Sequence, residues 1–157
     1  MSTLSWIWEL LWKRKKNPPI PPAPPQPPTE DGDAVQVIAL VNRLRALNRL
    51  HPLTQSPPLM LACQRYAVWM AEHNHCGHYG DGEPGDRSIR AGYGSEYVWE
   101  NVAAGQRSAA EVVDSWAHSI GHRQNMLLPA GKDIGIGDAV AVDRMRYWCL
   151  LVGVKIS

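Results

Sequence analysis

The sequence contains no phenylalanine, no Cys-x-x-Cys pair and no long apolar run, and each absence narrows what the chain can be. Three cysteines, Cys63, Cys76 and Cys149, cannot all pair within one chain, and their spacing does not indicate a thiolate zinc site. Cys63 lies in an apolar helical pattern and Cys149 in an apolar strand pattern, so buried free thiols are favoured over a Cys63–Cys149 bridge. Cysteine content therefore does not identify the redox compartment.

The N-terminal apolar run, Leu4 to Trp12, is too short to cross a membrane. It is nine residues long and is interrupted by Glu9, whereas a spanning helix needs about 20 apolar residues. Basic residues follow this run instead of preceding it, and no small-residue cleavage site appears. The sequence thus predicts neither a transmembrane helix nor a cleavable signal peptide.

Positive charge is concentrated near the N-terminus. The formal net charge is +1, but Lys13 to Lys16 form a basic run. From residue 29 onward the chain contains 12 basic and 14 acidic residues. A globular part so close to neutrality has no electrostatic basis for binding nucleic acid.

The first 29 residues divide into two segments. Residues 1–16 place tryptophan and leucine beside the basic run, which suits an interfacial helix on an anionic membrane, a peptide docked on a scaffold partner, or a frayed tail. Residues 17–29 include eight prolines in positions 17–28 and predict a polyproline II spacer of roughly 37 Å, at ~3.1 Å per residue. An SH3-type ligand is the alternative for this linker, because PxxP spacings occur in it.

Residues 30–157 carry the periodic patterns of one domain. Asp33 is predicted to cap a first helix, and Pro57 to open a second. A short helical turn is predicted at Ser88 to Ala91, and Ser108 with Glu111 predicts a capping box at the start of another helix.

Two β-rich runs close the chain and predict a hairpin. They are Ile134 to Val142 and Arg146 to Ile156, with a turn at Asp143 to Met145. Helices followed by a terminal hairpin indicate an α+β or α-β-α layered domain.

Histidines are the candidate chemical groups, since the chain holds six of them. Two imidazoles and one carboxylate could form an open metal site, although surface histidines at a helix end are common. Ser119 precedes His122 by three residues, but this pairing indicates no nucleophile without an orienting acid. Neither G-x-S-x-G nor H-E-x-x-H occurs, and the acidic loop Asp81 to Asp86 lacks the ligand ladder of an EF-hand.

Several segments in a specific order resemble the CAP superfamily of cysteine-rich secretory, antigen 5 and pathogenesis-related proteins, especially its compact bacterial branch. The resemblance covers residues 34–157 and implies an α-β-α sandwich with a central groove. The segments are Asn42-Arg43 with Pro52-Leu53, Gly77-His78, Ala91-Gly92-Tyr93 with Trp99 to Gly105, Val112 to Trp116 with Ser119 to Leu127, and Ile134 to Gly137 with Tyr147-Trp148.

The resemblance also implies a groove floor with two histidines and two acids, where some members hold a divalent metal. His78 and His122 match the histidines and Glu100 matches one acid, so these three are the candidate metal ligands, for Zn²⁺ or another divalent cation. Ser119 stands where the other acid is usual, as is frequent in the bacterial branch. Trp99 replaces the glycine that usually precedes the Glu-Asn pair.

The remaining aromatic and histidine residues are expected to have ordinary roles. His73, His75 and His118 do not match groove positions and are expected to face solvent. Trp116, Tyr147 and Trp148 are expected in the core.

The expected function is a non-catalytic binding module for a lipid, glycan or protein, tethered by its N-terminal stalk. The alternative is a hydrolase in which His78 or His122 acts as general base with Glu100 orienting it. The resemblance favours an extracellular or envelope-associated location, and a virion location would also fit a short chain without a cleavable signal peptide.

Overall fold

The computed structural model describes residues 32–155, which form five helices and four strands. The helices are α1 Gly32–Leu47, α2 Pro57–His73, α3 Pro84–Arg90, α4 Ala109–Ala117 and α5 Ile120–Met126. The strands are β1 Thr54–Gln55, β2 Val98–Ala104, β3 Asp133–Val140 and β4 Arg146–Gly153.

The four strands form one sheet in the order β1-β3-β4-β2. β1 runs parallel to β3, whereas β3 with β4 and β4 with β2 are antiparallel. Glu100 on β2 pairs with Leu151 of β4, which fixes the position of this carboxylate relative to the closing hairpin.

Apolar side chains cover both faces of the sheet, and alternate residues of β4 contribute to each face. Trp148 and Leu150 join a core with α1 and α4, while Cys149 and Leu151 join a second core with α2. Because successive strand residues point to opposite faces, one strand supplies two separate cores. The predicted α+β fold with three α-β-α layers is confirmed.

Two glycines of β3 let α2 approach the sheet closely. A Cβ added at Gly135 would lie 2.3 Å from the backbone carbon of Leu59, and one at Gly137 would lie 2.3 Å from the backbone nitrogen of Gln64. Any side chain at these positions would push α2 away from the sheet.

The structure corrects several predicted boundaries. Asp33 lies inside the first turn of α1, which begins at Gly32, so it is not the residue before the helix. The short helix α3 begins at Pro84, four residues before the predicted turn, because Pro84 suits the first helical position. β3 and β4 end at Val140 and Gly153, earlier than predicted.

Two predicted helix starts are confirmed. Pro57 opens α2, and the Ser108 side chain accepts a hydrogen bond from the Glu111 N–H at the start of α4. The Glu111 carboxylate accepts a hydrogen bond at 2.8 Å from the backbone N–H of Arg107, the residue that precedes the N-cap Ser108. The Glu111 side chain of this capping box therefore pairs with the N–H of Arg107 and not with the N–H of Ser108, the N-cap residue.

The expected core aromatics and free thiols agree with the structure. Trp116, Tyr147 and Trp148 are all buried. Cys63 and Cys149 are buried free thiols, and Cys76 is an exposed free thiol.

The predictions for residues 1–16 and 17–29 lie outside the described residues, as do the two ends of the predicted 30–157 domain. Among residues 32–155, no helix is long and apolar enough to cross a membrane.

Candidate functional site

His78 lies just beyond the C-terminal end of α2. Asn74, with φ of 47°, ends that helix in the left-handed conformation, and the chain then turns toward β2. The Tyr66 hydroxyl, buried on α2, donates to the carbonyl of Gly77 and so holds the residue before His78 against the domain. His78 Nδ1 lies 3.0 Å from Oε1 of Glu100.

Glu100 is a buried carboxylate whose two oxygens both have partners. His78 contacts Oε1, and the Arg87 guanidinium of α3 donates to Oε2. The side chains of Arg87 and Glu100 are 3% and 2% exposed, so this ion pair is almost fully removed from water. The Cys149 thiol also donates to Oε2 of Glu100, with its Sγ 3.5 Å from that oxygen.

Arg87 organises the chain around Glu100. Its Nη1 donates to the carbonyl of His78 at 3.1 Å and to that of Gly82, and its guanidinium lies 3.5 Å from the ring centre of Tyr66. One side chain thus holds the loop after α2, α3 and β2 together. The sequence analysis missed Arg87, and the only available signal was that a buried acid such as Glu100 needs a cationic partner.

His122 lies on α5 and is held by an amide network. The Asn101 side chain of β2 donates to the His122 carbonyl at 3.0 Å, and Asn125 donates to the Glu100 carbonyl at 3.0 Å and to Asn101 Oδ1 at 2.9 Å. The Glu-Asn pair therefore serves two purposes, because Glu100 binds the α3 side and Asn101 binds α5.

The two histidines have opposite electrostatic surroundings. The hydrogen bond to Glu100 raises the pKa of His78 above its usual value. Burial, followed by the nearby positive charge of His78, lowers the pKa of His122. Because the two pKa shifts have opposite directions, we expect the two imidazoles to titrate separately.

Ser119 does not join this group. It precedes α5 as its N-cap but makes no capping hydrogen bond through its side chain. Within residues 32–155 no hydrogen bond links its hydroxyl to His78, Glu100 or His122. The structure brings His78 and Glu100 into contact, places His122 nearby, and leaves Ser119 without a bond to any of them.

A cavity of about 590 Å³ opens beside His78 and Glu100. Its walls come from the loop after α2, the start of α3, and the segment that leads into β2. Neither Ser119 nor His122 lines it. Its polar and aromatic lining residues are His78, Tyr79, Glu83, Asp86, Glu96, Tyr97, Trp99 and Glu100.

The groove residues do not fit a three-ligand metal centre. No group of three His, Cys, Asp or Glu side chains in residues 32–155 is arranged to hold a metal ion. Arg87 and His78 occupy the oxygens of Glu100, and a guanidinium beside the carboxylate opposes a second cation there.

The three histidines that do not match groove positions are exposed, as expected: His73, His75 and His118. Nδ1 of His73 and Nδ1 of His118 each form a hydrogen bond with the carbonyl four residues earlier in the chain, at 2.8 Å. His75 packs edge-on against Trp69.

Comparison with known proteins decides the family. Residues 38–152 match the CAP family model, described as the cysteine-rich secretory protein family. The chain belongs to the CAP family. This match confirms the family resemblance that the ordered sequence segments indicated.

Relatives of this CAP chain occur in bacteria. It is 33% identical over 104 residues to the uncharacterized protein YkwD of Bacillus subtilis strain 168, a match that covers 65% of this chain and 40% of YkwD. It therefore spans well under two thirds of that curated relative's length.

Two solved structures share the fold of this CAP domain. An outer surface protein of Borrelia burgdorferi has a TM-score of 0.71 at 21% identity, covering 76% of this chain and 90% of that one. An extracellular protein with an SCP domain from Bacillus anthracis strain Ames has a TM-score of 0.70 at 24% identity, covering 83% of this chain and 45% of that one. At these identities the likeness concerns the fold alone.

The opposite pKa shifts predict two separate histidine titrations. We expect the NMR midpoint of His78 to lie above about 6.5, the usual histidine pKa, and that of His122 to lie below it. His78 then contributes stability that is complete at low pH and is lost as pH rises through its folded pKa. His122 contributes stability that is complete at higher pH and is lost as pH falls through its folded pKa.

The titration is followed in imidazole carbon–proton spectra of the full chain between about pH 4 and 9, a range that brackets the usual histidine pKa. His78→Gln and His122→Gln assign the two signals. Equal midpoints, or the reverse order, would contradict the contact between His78 and Glu100.

Proposed function

We propose that this CAP domain is a non-catalytic binding module that accepts its ligand in the cavity between His78 and Trp99. The observation that carries this proposal is the state of Glu100. Its carboxylate is buried, is paired with Arg87 and is hydrogen-bonded to His78. A carboxylate committed to internal partners shapes the wall of a site and is poorly placed to exchange protons with a substrate.

The alternative, a hydrolase, has one observation in its favour. Glu100 contacts Nδ1 of His78, which leaves Nε2 as the nitrogen that could act as a base, and an acid that orients an imidazole in this way occurs in catalytic triads. A triad also needs an activated nucleophile.

The nucleophiles near His78 are not activated. Cys76 is exposed as a residue, but partial desolvation of its thiol, followed by the charge of Glu100, raises the pKa of that thiol and disfavours the reactive thiolate. Ser119 has no hydrogen bond to a histidine among the described residues, as shown above. We therefore favour binding over hydrolysis.

The proposal places the domain outside the cytoplasm, on an envelope or virion surface or in the extracellular space. Its support is that the structural relatives are named as an outer surface protein and an extracellular protein. Tethering by residues 1–29, through a membrane surface or a scaffold partner at residues 4–16, stays a prediction from the sequence.

Binding of Zn²⁺ or another divalent cation by His78, Glu100 and His122 also stays a prediction. The pairing of Glu100 with Arg87 does not support it, and the proposed binding function involves no metal.

The proposal is tested by measuring binding and turnover on one full-length sample. We expect a panel of neutral oligosaccharides, lipid vesicles and short peptides to include a ligand that shifts the amide signals of Tyr79, Tyr97 and Trp99. We expect no hydrolysis of labelled casein or of p-nitrophenyl esters above that of buffer. His78→Gln should leave that background unchanged.

Turnover that His78→Gln abolishes and that His118→Gln leaves intact would contradict the proposal. His118 is the matched control because it is an exposed histidine at the C-terminal end of α4, outside the cavity. Such a result would establish His78 as a general base and favour the hydrolase.

A further inference from the structure

Three aromatic side chains stand on the walls of the cavity beside Glu100. Tyr79 and Tyr97 are 70% and 50% exposed, and Trp99 is partly exposed. Large aromatic groups left open to water in a concave site are typical of ligand-binding surfaces. Trp99 also stands where the family resemblance implies a glycine, so it adds an aromatic side chain to this wall.

Three carboxylates on the same walls have no cationic partner among residues 32–155. Glu83 precedes α3, Asp86 lies in its first turn, and Glu96 precedes β2; all three are exposed. Within residues 32–155, no lysine, arginine or histidine lies within ion-pair distance of any of them.

The nearby arginines are committed elsewhere. Arg87 is paired with Glu100, and Arg90 is paired with Asp81 at 2.8 Å. Both line a separate small cavity together with Arg65. Among the described residues, no lysine or arginine lines the aromatic cavity, where His78 is the only residue able to carry positive charge. Among the described residues, the cavity therefore presents unbalanced negative charge.

The walls are held in place before any ligand arrives. The Ser88 hydroxyl lies 2.7 Å from the carbonyl of Gly85 and 3.0 Å from that of Ser95, which joins α3 to the segment before β2. A Cβ added at Gly85 would lie 2.8 Å from the carbonyl oxygen of Glu96, so glycine is needed for this close approach. The fixed walls reduce the ordering that binding requires.

We infer that this cavity binds an organic cation, an alkylammonium or guanidinium group, between the aromatic rings and the carboxylates of Glu83, Asp86 and Glu96. Aromatic faces attract cations within about 6 Å, and the attraction is stronger when water is excluded. The carboxylates select positive charge, and the volume of about 590 Å³ holds one long side chain or a small amine. The inference rests on the proposed binding function and adds the chemical class of the ligand.

Calorimetry on the full-length protein at low salt and at about pH 8, above the usual histidine pKa of about 6.5, tests the inference. The probes are acetyl-Gly-Lys-Gly-amide and acetyl-Gly-Arg-Gly-amide, with spermidine to distinguish a free amine from a cation carried on a peptide. The norleucine peptide is the neutral control, because it has nearly the length of lysine without its charge. We expect at least one cationic probe to bind roughly tenfold more tightly than the norleucine peptide.

Variants locate the binding. Glu83→Gln/Glu96→Gln should weaken binding of the cationic probe by about fivefold, since among residues 32–155 neither side chain makes a hydrogen bond that the change would break. Glu72→Gln/Asp114→Asn removes the same charge at exposed positions outside the cavity and should leave affinity within about twofold. Trp99→Leu should lower the affinity for the cationic probe by about threefold.

Equal affinity for the lysine and norleucine peptides, or equal loss in both charge-removed double variants, would overturn the inference. Failure of every cationic probe would overturn it as well. If neutral ligands still shift the signals of Tyr79, Tyr97 and Trp99, the binding function stands and only the ligand class is wrong. Turnover abolished by His78→Gln would instead overturn the binding function itself.

Discussion

Arg87→Met is expected to destabilise the domain by about 3–5 kcal/mol, because it leaves the Glu100 carboxylate buried without its cationic partner. The Arg87 side chain also ties the His78 and Gly82 carbonyls to α3, so these acceptors lose their donor as well. Urea unfolding followed by tryptophan fluorescence measures the loss. Trp116 and Trp148, both buried, report on the core.

Two further variants separate the buried charge from general damage. Arg87→Met/Glu100→Leu removes both charges and should recover much of the stability, since replacing a buried ion pair by apolar groups is often neutral. Arg90→Met breaks the exposed pair with Asp81 and should change stability by less than about 1 kcal/mol. A loss from Arg87→Met no larger than that from Arg90→Met would show that the ion pair with Glu100 is not the organising contact.

Gly137→Ala should destabilise the domain by about 3 kcal/mol, the upper end of ordinary overpacking. The new methyl group would meet backbone atoms of Cys63 and Gln64 on α2 at 2.3–2.5 Å, and backbone cannot rotate away as a side chain can. Separation of α2 from the sheet would also disturb Tyr66, whose ring packs against Arg87. Urea unfolding and thermal melting both report the change.

Gly121→Ala is the matched control for this variant. Gly121 lies in α5, and a Cβ there would have no atom within 4 Å, so stability should stay within about 1 kcal/mol and favour alanine if it changes. If the two glycine variants had equal stability, the close packing of α2 on β3 would be refuted.

Helix starts and core residues could be predicted because their signals are local. Pro57 and Ser108 act through the backbone of their own first turn, and the structure confirms both. Trp116 and Trp148 could be assigned to the core because large apolar groups at regular spacing have few other places to go.

Strand β2 had no comparable signal and was not predicted as a strand. It is an edge strand of the sheet, and Glu100 and Asn101 are buried in its middle. Two polar residues in succession interrupt the alternation that reveals a half-buried strand. Their burial is possible only because Arg87 and His78 satisfy the first and hydrogen bonds with α5 satisfy the second.

The sequence by itself determined the family and the layered fold, because ordered motifs and helix signals are local features of the chain. The grouping of His78 with Glu100 followed from the family resemblance that those motifs carry. Only the tertiary structure showed that Arg87 neutralises Glu100 and that the Ser119 side chain makes no capping hydrogen bond. It also showed that Trp99 shares a cavity with carboxylates that have no ion-pair partner in the described part of the chain. These facts depend on which segments are brought together by the sheet register and by the close packing of α2 against the glycines of β3. Charge pairing and cavity shape arise between segments distant in sequence, so no local pattern encodes them.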